Sequence, residues 1–138
     1  MKLIKSIVLI LMIMFISPTF AISEVIHATV PCYGIGAKSG TSDTASIRVV
    51  LIKNASGAFA TGLRKSNFSL VQTDDGNGNV SPITFAVKEI SPGAYNISVT
   101  PKGWTWGLYQ CHYFLMKITG TTESDNGAFT FNICVNSE

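Results

Sequence analysis

The side chains in this chain that could do chemistry are few: three cysteines, two histidines and eight carboxylates among 138 residues. Cys32, Cys111 and Cys134 carry the redox options. In an oxidising compartment two of the three pair and one is left over, free or linked between chains. A hairpin turn centred at Thr122–Glu123 would set Cys111 opposite Cys134, because the two numbers are symmetric about it. A bond between directly opposed strand residues is short for a relaxed disulfide. A bond from Cys32 to a late cysteine closes most of the domain, which the loop-entropy estimate values at about 4 kcal/mol. Three pairings stay open; Cys32 with Cys134 is the expectation, ahead of Cys32 with Cys111.

His112 follows Cys111, which invites a catalytic dyad. Adjacent strand residues point to opposite faces, so the adjacency counts against one. The other histidine, His27, lies far away in the chain. No Gly-x-Ser-x-Gly, no His-Glu-x-x-His and no phosphate-cradling glycine loop occurs. The carboxylates are few and sit mostly in turns. No catalytic residue is expected, and no enzyme.

Asp75-Gly-Asn77-Gly-Asn79 starts like a calcium loop, with oxygen side chains at alternate positions. That pattern wants glycine at its sixth place and glutamate at its twelfth, where Val80 and Ala86 stand. An ordinary turn explains the same letters. Asp74, Asp75, Asn77 and Asn79 remain weak oxygen donors, and neither metal nor cofactor is expected. Asn54, Asn67 and Asn96 open Asn-x-Ser triplets, which in a bacterial host mean only polar turn and strand positions.

Trp104 and Trp106 flank Thr105 between Gly103 and Gly107. At period two they point the same way, so both cap the core or both form an exposed platform. Tyr109 and Tyr113 share a parity along the following strand and would extend an exposed stripe. Paired aromatics of this kind stack on sugar rings or anchor a partner protein. Trp104, Trp106, Tyr109 and Tyr113 are therefore the candidate binding residues.

The elements that must position these residues are strands. Ile47, Val49 and Leu51 alternate with Ser46, Arg48 and Val50; Ile83, Phe85 and Val87 with Thr84, Ala86 and Lys88; Tyr95, Ile97 and Val99 with Asn96 and Ser98. Such alternation marks strands with one buried and one wet face. Asn54–Gly57, Asp75–Gly78, Pro92-Gly93 and Asp125–Gly127 supply the φ angles that tight turns need. Seven strands are expected, over Val25–Tyr33, Ala45–Lys53, Asn67–Thr73, Val80–Ile90, Ala94–Thr100, Leu108–Thr119 and Ala128–Val135. Seven short strands in one small domain are the arithmetic of an all-β, immunoglobulin-like antiparallel sandwich.

Ahead of them stands a targeting segment. Lys2 and Lys5 precede the apolar run Ile7–Ile16, Pro18 breaks it, and Thr19-Phe20-Ala21 suits a signal peptidase. The run is short of the ~20 residues that span a bilayer. Residues 1–21 are read as a signal peptide and 22–138 as one domain. Cleavage leaves 117 residues and takes two of ten basic residues, so eight face eight acidic ones. A neutral domain gives no electrostatic case for nucleic acid or an anionic membrane. The destination is secreted, periplasmic or cell-surface, and the cleaved chain is not an integral membrane protein.

The stretch Asn54-Ala-Ser-Gly-Ala-Phe-Ala-Thr-Gly-Leu-Arg-Lys-Ser-Asn-Phe68, followed by Val87-Lys-Glu-Ile-Ser-Pro-Gly-Ala-Tyr-Asn-Ile-Ser-Val99, resembles the bacterial immunoglobulin-like modules of secreted and surface proteins. The resemblance covers roughly Ser46 to Pro101 and rests on turn and core positions. It implies a sandwich, a role in adhesion, spacing or assembly, and no catalytic residues. First and last strands often neighbour each other in such sheets, which is why Cys134 stands ahead of Cys111 as the partner of Cys32. Gly107-Leu-Tyr109-Gln-Cys111 is similar to the opening of strand F in antibody-type domains, where the tyrosine forms a corner. The expected function is a protein-interaction or adhesion module whose partner is another extracellular or envelope protein. The alternatives are a small carbohydrate-binding module, with a glycan as partner, and a fibre-forming homo-oligomer.

Overall fold

The computed structural model describes residues 26–29, 35–54, 56–120 and 126–135. The expected signal peptide and Cys32 lie outside them. Seven strands follow one another: β1 (Ile26–Thr29), β2 (Ala45–Lys53), β3 (Phe68–Asp74), β4 (Ile83–Ser91), β5 (Ala94–Pro101), β6 (Cys111–Thr119) and β7 (Asn126–Cys134). The one helical piece among the described residues is a three-residue 3-10 turn, Lys65–Asn67, entering β3.

The strands hydrogen-bond in the order β3-β6-β7-β1-β2-β5-β4. All pairs are antiparallel except β1 with β7, which meet in parallel at Ile26 and Gly127. β1 thus joins a three-stranded half, β3-β6-β7, to a second half, β2-β5-β4. Grouped as β1-β2-β5-β4 and β3-β6-β7, this is the arrangement of a seven-stranded immunoglobulin-like sandwich.

Alternation decides what the two halves bury. Ala45, Ile47, Val49 and Leu51 of β2 and Tyr95, Ile97 and Val99 of β5 face Phe68 and Leu70 of β3, Phe114, Met116 and Ile118 of β6, and Phe131 and Ile133 of β7 in one cluster. The Phe68 and Tyr95 rings, 5.6 Å apart, meet across the two halves. Burying a large apolar side chain contributes about 1.5–3 kcal/mol, so this cluster is the main source of stability.

β2 has the limits its alternation predicts, whereas β4 and β6 each start three residues later. β4 begins at Ile83 and not at Val80, since Asx turns occupy residues 74–79 and Pro82, which has no N–H, precedes the ladder. β6 begins at Cys111 and not at Leu108, because Gly107–Gln110 forms a turn closed by Gln110 N–H to Gly107 O at 3.3 Å. Between β4 and β5, Gly93 has φ +72°, and an added Cβ would lie 2.6 Å from Phe59 Cβ. Both backbone and space demand glycine there.

The expected pairing of Cys32 with Cys134 is overturned: the disulfide joins Cys111 to Cys134, Cα atoms 4.0 Å apart. β6 and β7 pair from Cys111↔Cys134 to Thr119↔Asn126, the register of a hairpin centred between residues 122 and 123. First and last strands do neighbour each other, but they touch at Gly127, seven residues before Cys134 and roughly 20 Å along the strand. With Cys111 and Cys134 joined, no cysteine of this chain is left to pair with Cys32.

Candidate functional site

Most of the side chains singled out by type and spacing converge on one end of the sandwich, where β6 begins and β7 ends. They do not converge as a platform. Trp106 is completely buried, its Nε1–H donating to Asp43 O at 2.8 Å. Its backbone is held on both sides, N–H to Thr41 O at 2.9 Å and carbonyl from Gly40 N–H at 2.8 Å. Trp104 is half-buried and donates Nε1–H to Pro82 O at 2.7 Å. The two indoles meet edge to face, 5.0 Å between centroids. A shared exposed surface of Trp104 and Trp106 is therefore ruled out: Trp106 belongs to the core and Trp104 covers it.

Against both indoles lies His112. Its ring stacks on Trp104 (4.8 Å, 29° between planes) and takes Trp106 edge-on (5.0 Å, 80°). It is 2% exposed, and its Nδ1 lies 3.1 Å from Nε2 of Gln72, itself 3% exposed. Gln72 Nε2 also donates to Asp74 O at 3.4 Å, and a carbonyl can only accept, which fixes the amide orientation. Nδ1 must then accept, leaving the proton on Nε2 of a neutral imidazole. Burial pushes the imidazole below its ordinary range, opposed by the charge of Asp75. Two buried atoms, Gln72 Oε1 and His112 Nε2, have no partner among the described residues.

Cys111 points to the other face and is consumed in the disulfide, so His112 addresses an amide and two indoles and no nucleophile. The sequence signal for Gln72 is its place as a polar residue on the inward parity of Phe68 and Leu70.

The acidic loop closes on itself. Asp74 Oδ1 accepts from Gly76 N–H (2.7 Å) and Gly78 N–H (2.8 Å), and Asp75 Oδ1 from Asn77 N–H (2.8 Å) and Asn79 N–H (3.1 Å). Asn79 Nδ2 adds a bond to Asp75 Oδ2 at 3.2 Å. The Asn77 and Asn79 backbone donors hold Asp75 below the usual carboxylate range. The carboxylates thus order the turn. This loop packs on the start of β6, where a Cβ on Gly76 would lie 3.3 Å from Cys111 O.

Tyr109 and Tyr113 are exposed, 73% and 43%. Tyr113 sits on the outer face of β6, next in parity to Cys111 and paired with Asp74 and Asn132. Tyr109 occupies the third position of the Gly107–Gln110 turn with φ 57°, the left-handed region that side chains other than glycine's avoid. Two bonds hold it there, Tyr109 N–H to Val135 O at 2.9 Å and Val135 N–H to Gln110 O at 3.0 Å, beside the Cys111–Cys134 bond. A tyrosine corner is absent at this position, because the ring faces solvent and no hydrogen bond of its hydroxyl is found among the described residues. The residue that ties strand to backbone by its hydroxyl is Tyr95, which donates to Ala60 O (2.8 Å) and accepts from Leu63 N–H (3.2 Å). Nothing but its inward parity marked it in the sequence.

Leu108 (48% exposed) and Tyr109 thus stand exposed in the turn before β6, and Tyr113 on the outer face of that strand, all on or beside a covalently stapled hairpin. No protein-family model and no curated protein matches the chain.

Proposed function

We propose that the chain is a secreted or surface-exposed immunoglobulin-like interaction module, without catalytic activity, that binds another extracellular or envelope protein through its Tyr109 end. The observation that carries this reading is Tyr109 itself: an exposed aromatic on a left-handed backbone, tied with its neighbour Gln110 to Val135, the residue after β7, and close to a disulfide. Strained backbone at an exposed side chain is selected where the side chain's placement matters. A rigid tyrosine loses little conformational freedom on binding and is a common anchor at protein interfaces.

Leu108 and Tyr113 widen the anchor, and the disulfide suits an oxidising compartment. A glycan platform has less support, since Trp106 is buried and one face of Trp104 is taken by His112.

Site-specific photocrosslinking tests the reading in the native host. A benzophenone amino acid at position 109 is expected to capture a discrete protein, and the same probe at exposed Ile90 is not. Equal labelling at both positions, or none at 109, would overturn it.

A further inference from the structure

The sheet has two open ends, β3 and β4, and they are not equally protected. An edge strand directs alternate N–H and C=O groups outward and invites another strand unless something blocks it. β4 carries such blocks: Pro82 just before it, Lys88 exposed along it, and an irregularity between Glu89 and Ser91. Glu89 is tied off there, its carboxylate accepting from Gly93 N–H (3.0 Å) and Gly62 N–H (2.9 Å).

β3 carries almost none. Phe68–Thr73 contains no charge, proline or glycine, and its irregularity, between Gln72 and Asp74, leaves Phe68–Gln72 regular. Among the described residues β3 pairs with β6 alone.

We infer that β3 pairs with β3 of a second copy, antiparallel about a two-fold axis at Val71, making one six-stranded sheet from two β7-β6-β3 halves. The strand is self-complementary in that register. Directly opposed residues of an antiparallel pair share a face, so Val71 meets Val71, Ser69 meets Thr73 and Leu70 meets Gln72. Shifting the axis by two residues either way brings Val71 opposite Asn67 or Asp75 and loses the Val–Val pair. Val71 is 48% exposed and lies across from half-buried Leu115, so the pairing also covers apolar surface on the outer face. No charge meets a like charge between residues 69 and 73.

A two-fold contact consumes the same edge on both copies, and the blocked β4 edge offers no second one. The assembly closes as a dimer and does not grow into a fibre. The inference is independent of the proposed partner at Tyr109, and its test leaves that reading untouched.

Sedimentation velocity of the exported, processed chain over a concentration series is expected to show a monomer–dimer equilibrium. Val71→Lys, placing two ammonium groups face to face, should weaken it about tenfold or more. Thr84→Lys on β4 should leave it unchanged. If Val71→Lys does not fold, Val71→Cys in a Cys32→Ser background supplies the answer: it should form an inter-chain disulfide on mild oxidation, and Thr84→Cys should not. A monomer at every concentration, a species larger than the dimer, a dimer indifferent to Val71→Lys, or cross-linking at position 84 but not 71 would overturn the inference.

Discussion

Gln72 Nε2 points at His112 Nδ1 from 3.1 Å, so the two polar side chains nearest the centre of this end of the sandwich are matched only while the imidazole is neutral. A protonated ring would turn a second N–H toward the amide N–H₂. Burial lowers the folded-state pKa of His112 from 6.5. Between the folded and unfolded values the unfolded chain binds more protons, so stability rises with pH in that window. Urea midpoints should therefore fall as pH drops through about 6.5 and level off below the folded value. The difference between wild type and His112→Gln isolates this term from His27. A wild-type midpoint as flat as that of the variant across mildly acidic pH would refute it.

The disulfide closes a hairpin of sequence separation 23. On the loop-entropy estimate a loop of that size contributes about 3 kcal/mol. The double substitution Cys111→Ser, Cys134→Ser should lower stability by about that amount without abolishing the fold, because β6 and β7 keep their ladder. Peptide mapping after alkylation under denaturing, non-reducing conditions should give one linked pair, Cys111 with Cys134, and alkylated Cys32. A peptide linking Cys32 to Cys111 or to Cys134 would contradict this pairing.

Why the strands were legible and the staple was not is a matter of range. In Ala45–Lys53 the apolar residues Ala45, Ile47, Val49 and Leu51 keep one parity and are the buried ones, and period two is a local signal that tertiary contacts only confirm. The starts of β4 and β6 depend on which side chain captures which N–H: Asp74 and Asp75 hold residues 76–79 out of the ladder, and the Tyr109 and Val135 backbone groups make a turn out of letters that read as strand. The cysteine pairing was within reach, since a hairpin about residues 122–123 puts Cys111 opposite Cys134. Typical disulfide geometry argues against it, but this pair, with Cα atoms 4.0 Å apart, lies below the usual range. Equal spacing of Trp104 and Trp106 predicts equal facing only inside a regular strand. They lie in irregular chain after Gly103, whose φ is +81°, so parity stops applying.

Tyr95 anchors a segment that joins the sheet through an isolated bridge, Phe59 with Ile52. Its buried hydroxyl donates to Ala60 O and accepts from Leu63 N–H, fixing the crossing between β2 and β3 over the core. Tyr95→Phe keeps the ring beside Phe68 but leaves two backbone groups unpartnered in the interior, at a cost of about 1–3 kcal/mol. Hydrogen exchange should quicken at Leu63 while the β2 and β5 amides keep their order of protection. Unchanged stability would mean that water replaces the hydroxyl and that packing of Ala60 and Leu63, with the bonds from Ala60 N–H to Leu51 O and from Gly62 N–H to Glu89, holds the segment without it.

The left-handed backbone at Tyr109 separates what stability wants from what the proposed binding end wants. Left-handed φ costs a side-chain-bearing residue about 1 kcal/mol or more, and glycine adopts it freely. Tyr109 is 73% exposed, so removing its ring forfeits little packing. Tyr109→Gly should accordingly raise stability, by up to about 1 kcal/mol. Tyr109→Val should lower it, because a β-branched side chain tolerates that φ least. Thermal melts of the two variants beside wild type read the difference directly. If Tyr109→Gly is less stable than wild type, the tyrosine is contributing contacts that its exposure does not reveal, and the strain ascribed to this turn is wrong. If it is more stable and no longer captures the partner, the turn keeps a residue the fold disfavours because binding requires it.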